Sequence, residues 1–259
     1  MPPFDDPLVI AGQGTLGLEI ADEAERAEVV VVPVGGGGLI SGVAAALKLS
    51  RPGIRVVGVE AAGATALLAA MEAGHPVLLE SVHTMADGIA VRAVSDLTFE
   101  HCSAFVDEVV TVTEEEISHA VLVLLERSKW VVEPAGAVGL AALLAGKVSG
   151  NGVAVALLSG GNVDPLLLRG LIEHGLSAAG RYLMLRVVID DRPGALAALT
   201  AALARFGLNV LDVDHHRSGA PVGIAEVEVF LTVETRDRAH HDSIVTKLRA
   251  EGFRATALR

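Results

Sequence analysis

Four consecutive glycines, Gly35 to Gly38, follow the apolar run Val29-Val30-Val31-Val32-Pro33-Val34 and precede Leu39-Ile40-Ser41-Gly42 and an alanine-rich stretch. A valine run of this kind reads as a strand buried on both faces, the sort found inside a parallel sheet, and the alanine-rich stretch reads as a helix. The glycines therefore sit at the carboxyl end of a parallel strand and open a helix. Backbone N–H groups converge at such a turn, no Cβ holds a ligand away, and the helix dipole adds positive potential. This is the pattern of a phosphate cradle. A loop that merely needs close packing explains four glycines in a row poorly, because each carries a large entropic cost on folding.

A dinucleotide site expects G-x-G-x-x-G in the strand-to-helix turn. Counted from Gly35 the last position is Ile40, and counted from Gly36 it is Ser41; from Gly37 the second glycine is already Leu39. Glu60, at the end of the next strand, stands where a ribose-binding acid could be, so a nucleotide stays open but weakened. A second element points elsewhere. Val153-Ala154-Val155-Ala156-Leu157-Leu158 reads as another buried strand and runs into Ser159-Gly160-Gly161-Asn162. Ser159 is thus expected on the same sheet edge as the glycine run. Anion binding at one end and a single hydroxyl for a ring heteroatom at the other suit pyridoxal 5'-phosphate.

The tetraglycine loop, Ser159-Gly160-Gly161-Asn162, and the runs Phe4-Asp5-Asp6-Pro7, Gly12-Gln13-Gly14-Thr15, Thr84-Met85-Ala86-Asp87-Gly88-Ile89-Ala90-Val91 and Val132-Glu133-Pro134-Ala135-Gly136-Ala137 occur in order along the chain. Together they resemble the threonine dehydratase (threonine ammonia-lyase) family and its relative serine racemase, over essentially the whole length. The resemblance implies a pyridoxal-phosphate fold that converts L-threonine into 2-oxobutanoate and ammonia, with L-serine as a lesser substrate. It also implies that Gly35, Gly36, Gly37, Gly38 and Leu39 bind the cofactor phosphate, and that Ser159, with Gly160 beside it, meets the pyridine nitrogen. Phe4 resembles the residue beside the cofactor ring and Glu133 a carboxylate near the pocket. Phe4 equally fits a core position, and Glu133 equally fits a cap on a helix starting at Pro134.

The family attaches its cofactor to a lysine in a Ser-x-Lys-x-Arg-Gly motif. The lysines here are Lys48, Lys129, Lys147 and Lys247, none in that context, and all four read as solvated. No catalytic residue is therefore assigned. The expectation is a truncated enzyme, inactive alone, or else a non-catalytic amino-acid-sensing module. Glu60 has a further possible role: relatives with a cation site pair this glutamate with a carbonyl four residues on and an acid six residues on. Those positions are Ala64 and Ala66, so the carbonyl of Ala64 remains while the second carboxylate is lost. A divalent site is doubtful, and a weak monovalent one stays open.

Strand and helix signals alternate as helix 13–26, strand 29–34, helix 38–49, strand 55–60, helix 64–73, strand 109–112, helices 115–128 and 134–146, and strand 153–158. This alternation predicts a doubly wound parallel α/β domain over 1–176. Residues 177–181 read as a linker. The remainder, 182–259, follows the order βαββαβ of a ferredoxin-like unit. Its Asp191-Arg192-Pro193-Gly194-Ala195-Leu196 and Leu208-Asn209-Val210 resemble an ACT domain, an amino-acid-sensing module that pairs with its copy in another subunit. That resemblance implies a homo-oligomer and an amino-acid effector near Gly194 and Asn209. His215 and His216 read as an exposed strand edge, and His240 and His241 as solvent-facing. A formal charge of −12 argues against nucleic-acid binding, and no apolar stretch reaches the roughly 18 residues of a membrane span. One cysteine, Cys102, fits a reducing compartment, and cytoplasmic is the default location.

Overall fold

The structure is a computed structural model describing residues 3–150, 152–216, 223 and 225–258. The chain divides into two compact units, Met1–Ile172 and Glu173–Arg259.

The first unit contains α1 (Pro7–Glu23), β1 (Ala27–Pro33), α2 (Gly38–Ser50), β2 (Arg55–Ala61), α3 (Ala66–Ala73) and a 3-10 turn at Asp87–Ile89. It continues with α4 (Asp96–Phe105), β3 (Glu108–Val112), α5 (Glu114–Val123) with a π-helical turn at Leu124–Ser128, α6 (Pro134–Leu144) and β4 (Val153–Ala156), and the division between the units falls within α7 (Pro165–Ala178). The four strands form a parallel sheet in the order β3-β2-β1-β4. Side chains alternate across it. Val29, Val31, Val57 and Val59 pack with Ile117, Val121 and Val138 on one face. Val30, Val32 and Val56 pack with Ile40, Leu47, Leu67 and Cys102 on the other. Val30, Val31 and Val32 are fully buried, each stabilising the fold by roughly 1.5–3 kcal/mol. The doubly wound fold expected from the valine run is the one observed.

Several boundaries differ, each for a local reason. α1 begins at Pro7 rather than residue 13, because Asp6 caps it: the carboxylate accepts the N–H of Leu8 at 2.8 Å, and proline is suited to the first helical position. α4 was not expected; Ser95 and Thr98 form a capping box at its start. β4 ends at Ala156, and it is not buried on both faces as the sequence predicts, since Val153 is 43% exposed. Ser177 and Ala178, expected in a linker, are the last residues of α7. Ser and Ala both tolerate helix, and the chain turns at Gly180, with φ 70°.

The second unit holds β5 (Tyr182–Asp190), α8 (Ala195–Arg205), β6 (Val210–His216), β7 (Glu226–Glu234), α9 (Arg238–Ala250) and β8 (Arg254–Leu258). Its antiparallel sheet runs β6-β7-β5-β8, with Leu183, Leu185 and Val187 packed on Leu199, Leu203, Ile244 and Leu248. The βαββαβ order and the ferredoxin-like fold agree with expectation. His215 and His216 are exposed on β6. His241 is a correction: its Nε2 lies 2.9 Å from the Gly180 carbonyl oxygen and 3.0 Å from Thr235 Oγ1, so it joins α9 to the chain entering β5 instead of facing solvent. Among the described residues no helix is long and apolar enough to cross a membrane.

Candidate functional site

The carboxyl ends of β1 and β4 set the frame. Val31 lies opposite Ala156, and the Leu157 N–H donates to the Val31 carbonyl at 2.9 Å. β4 ends at Ala156 and β1 at Pro33, so Ser159 and the glycine turn both follow the carboxyl ends of neighbouring parallel strands. The glycine turn and Ser159 therefore share one edge of the sheet.

Within the turn, Gly37 caps α2 in the left-handed region at φ 90°, ψ −6°, a conformation that favours glycine. Each glycine also meets a wall. An added Cβ would lie 2.9 Å from Ile89 Cα at Gly35, 2.9 Å from Thr98 Cβ at Gly37, and 2.8 Å from Phe4 Cβ at Gly38, and at Gly36 it would enter the Phe4 ring. Close packing, set aside from the sequence as a poor account, thus demands glycine at all four positions. It does not satisfy the backbone. Gly36, Gly37 and Gly38 are buried, yet no N–H from Gly35 through Leu39 donates to an acceptor among the described residues. A buried donor left unmet costs about 1–3 kcal/mol. Several such donors at the start of a 13-residue helix fit an anion such as a phosphate.

Phe4 packs on this turn, against Gly36 and Gly38, and is half-buried there. Glu133 is the residue before α6, but its side chain makes no cap hydrogen bond. Its carboxylate instead accepts the N–H of Asn162 at 3.1 Å and lies against Gly160, whose φ is 81°. A cleft of about 350 Å³ opens there between Asp87, Glu133, Asn162 and Asp164. Gly136, in the first turn of α6, packs on the Ser159 carbonyl so closely that a Cβ would overlap it. The Asp87–Ile89 turn joins the two halves: Ile89 walls Gly35, while an added Cβ at Gly88 would lie 3.3 Å from Glu133 Oε1.

Thr98, Ile89 and Asn162 carry no role in the sequence reading. The signal for Thr98 was present in Ser95-Asp96-Leu97-Thr98, an N-cap followed by an acid and a second hydroxyl. Ile89 and Asn162 act through tertiary contacts that have no local signature.

Glu60, next to last in β2, is fully buried, and its carboxylate accepts the N–H groups of Leu67 at 2.8 Å and Leu68 at 2.9 Å at the start of α3. Burial pushes its carboxyl up from 4.5 to about 7, against the opposing pull of those backbone donors. Both oxygens are thus engaged by a helix N-terminus. Ala64 is buried nearby in sequence, and among the described residues no three His, Cys, Asp or Glu side chains cluster as metal ligands.

The lysines are also engaged. Lys48 pairs with Asp107 at 2.7 Å and donates to the Ile54 carbonyl; Lys147 pairs with Glu116 at 2.6 Å and donates to the Thr111 carbonyl. Lys129, at φ 61° after the π turn, donates to the Glu126 carbonyl, and Lys247 lies 5.7 Å from the centre of the Phe206 ring. Lys48 and Lys147 are therefore more anchored than the solvated reading expects.

In the second unit Gly194 caps α8 and lines a cavity of about 350 Å³ with Asp190, Arg192 and His215. Asn209 stands at the other end of the sheet, its Nδ2 3.1 Å from Glu234 Oε2; Glu234 pairs with Tyr182, whereas Asp190 pairs with Glu226. One copy of the chain does not bring Gly194 and Asn209 together.

A doubly wound unit with buried free N–H groups and a serine on one sheet edge, followed by a βαββαβ unit, has the organisation of a pyridoxal-phosphate enzyme with an ACT domain. The chain belongs to the pyridoxal-phosphate dependent enzyme family, which residues 1–160 match, and residues 183–253 match the ACT domain. An L-threonine ammonia-lyase of Thermotoga maritima is 47% identical over 97% of this chain and 63% of its own length. An L-threonine ammonia-lyase of Geobacter sulfurreducens is 44% identical over 99% of this chain and 64% of its own. The processed form of threonine deaminase isoform 2 from Solanum lycopersicum superposes with a TM-score of 0.64 at 39% identity, over 67% of this chain and 52% of that one. The chain thus spans a little under two thirds of the curated relatives it matches.

Proposed function

We propose that this chain acts in L-threonine deamination to 2-oxobutanoate and ammonia, with L-serine as a lesser substrate, as part of a pyridoxal-phosphate enzyme. The observation that carries this is the row of buried, unmet N–H groups at the start of α2, on the same sheet edge as Ser159. Those of Gly35 to Leu39 would hold the phosphate and the Ser159 hydroxyl the pyridine nitrogen, with Phe4 and Glu133 bordering the pocket. When bound, the cofactor supplies a sink for the electron pair left at Cα after proton removal. Ser159 is a neutral partner and cannot hold the ring nitrogen protonated as a carboxylate would. The sink is therefore weaker, which favours a reaction in which a departing β-hydroxyl takes up the charge.

None of the four lysines stands in the Ser-x-Lys-x-Arg-Gly context of the family, and Lys48 and Lys147 are held in ion pairs with Asp107 and Glu116, so the chain by itself is inactive. The assembly is a cytoplasmic homo-oligomer, and residues 182–259 sense an amino acid. A monovalent cation near Glu60 and the Ala64 carbonyl has only the sequence pattern behind it. The lack of a lysine in that context, together with the ACT domain over residues 183–253, also favours a second reading, a non-catalytic sensing module. Reduction with borohydride after incubation with pyridoxal phosphate, followed by peptide mass spectrometry, is the test. Cofactor should bind with no stoichiometric pyridoxyl-lysine, and threonine should yield no 2-oxobutanoate. A single fully labelled lysine with turnover would overturn the inactivity, whereas absence of cofactor binding together with tight binding of isoleucine or valine would leave the sensing module.

A further inference from the structure

The first turn of α2 rests at two points on one residue of α4. Thr98 is fully buried, and its side chain faces the left-handed Gly37: an added Cβ there would stand 2.9 Å from Thr98 Cβ, 3.1 Å from Oγ1 and 3.6 Å from Cγ2. At the other end of the same turn, the fully buried Ser41 donates its hydroxyl to the Thr98 carbonyl at 3.4 Å, while its N–H donates to the Gly37 carbonyl at 2.9 Å. The Thr98 side chain is itself locked. Its Oγ1 accepts the Ser95 N–H at 3.1 Å, lies 3.1 Å from Ser95 Oγ and donates to the Ser95 carbonyl at 3.3 Å, and the Thr98 N–H donates to Ser95 Oγ at 3.2 Å. A helical threonine has two rotamers open to it, chosen by what its hydroxyl bonds three or four residues back, whereas valine keeps to one. The capping box therefore selects the rotamer that Gly37 meets, and it uses the hydroxyl proton on Ser95.

We infer that Thr98 is a positioning residue for the anion turn: held by Ser95, it fixes the direction of the N–H groups from Gly37 to Leu39 without touching the phosphate. Glycine leaves the peptide planes on either side of it free to rotate, and an N–H···O bond weakens steeply once it is misaligned. A wall against Gly37 removes that freedom before the anion arrives, so less of the binding energy is lost to ordering the turn. The inference rests on the pyridoxal-phosphate reading of the turn and adds to it a residue outside the loop that sets phosphate affinity.

The test compares dissociation constants for pyridoxal phosphate and for phosphate-free pyridoxal in the full chain and its variants, beside urea unfolding. Thr98→Val keeps the volume and loses the lock; it should weaken pyridoxal phosphate about 10-fold, the worth of one hydrogen bond to a charged group, and leave pyridoxal nearly unchanged. Thr98→Ser keeps Cβ and the hydroxyl and should retain both affinities. Ser95→Ala breaks the lock from the other side, so it should reproduce the valine pattern, and it decides the matter if Thr98→Val does not fold. An equal loss for both compounds, as a general loosening of the fold would give, overturns the inference. So does an unchanged preference for the phosphate compound in the folded variants, and in both cases the phosphate site itself stands. A full chain without substitution that binds both compounds equally well overturns the phosphate reading and the inference with it.

Discussion

α2 and α8 begin on nearly the same backbone, Gly37 at φ 90°, ψ −6° and Gly194 at φ 87°, ψ −13°, each after a strand and each without a side-chain cap. Their surroundings differ. A Cβ at Gly37 would press on Thr98, whereas one at Gly194 would meet nothing within 4 Å. The first turn is closed in by Phe4, Ile89 and Thr98, and its N–H groups are buried without acceptors; the second lies on the surface, where water can satisfy them. Local backbone geometry is therefore not what distinguishes an anion site. Burial does, because only there does an unmet donor make a ligand worth several times its value in water.

The comparison breaks most visibly by adding one methyl group. Gly37→Ala should destabilise the first unit by about 3 kcal/mol, from left-handed strain together with overpacking on Thr98, and should reduce pyridoxal phosphate affinity at least 10-fold. Urea unfolding and cofactor titration would show it. Glu60 gives an effect of similar size, read through pH. Its carboxyl is raised to about 7 in the fold, so the folded state holds the proton more tightly than the unfolded chain does. The associated stability is fully present below pH 4.5 and is lost as pH rises through about 7, by at most about 3 kcal/mol. Urea unfolding of the native chain minus that of Glu60→Gln, at pH 5 and pH 8, should show this loss.

Gly194→Ala carries the strain without the clash and should cost about 1–2 kcal/mol, in the second unit only. Ser95→Ala removes half of the capping box that sets Thr98 against the turn, and should cost about 1 kcal/mol. If Gly37→Ala and Gly194→Ala cost the same, the walls around the first turn contribute nothing.

The sequence shows the glycine turn because its two signals, a continuous valine run and an alanine-rich helix, are local and strong. That Ser159 follows the same sheet edge as the glycine turn is legible too, since parallel neighbours end on one edge. β4 is misjudged because the same apolar pattern serves a central strand and an edge strand, and only its neighbours tell them apart. The role of Glu60 stays hidden for a related reason: a carboxylate at a strand end reads as a ligand until the start of α3 is seen to donate to it. Glu133 shows the same limit, since the backbone position of a helix cap is legible and the side chain's turn toward Asn162 is not.

The claim at the centre is that the buried N–H groups of the first turn bind phosphate and those of the second do not. Amide chemical shifts of the full chain, titrated in parallel with pyridoxal phosphate and with phosphate-free pyridoxal, test it directly. Large shifts at Gly36, Gly37, Gly38 and Leu39 with pyridoxal phosphate alone, and none at Gly194 or Ala195, are the predicted result. Silence at the first turn, or equal shifts at both, would contradict the account.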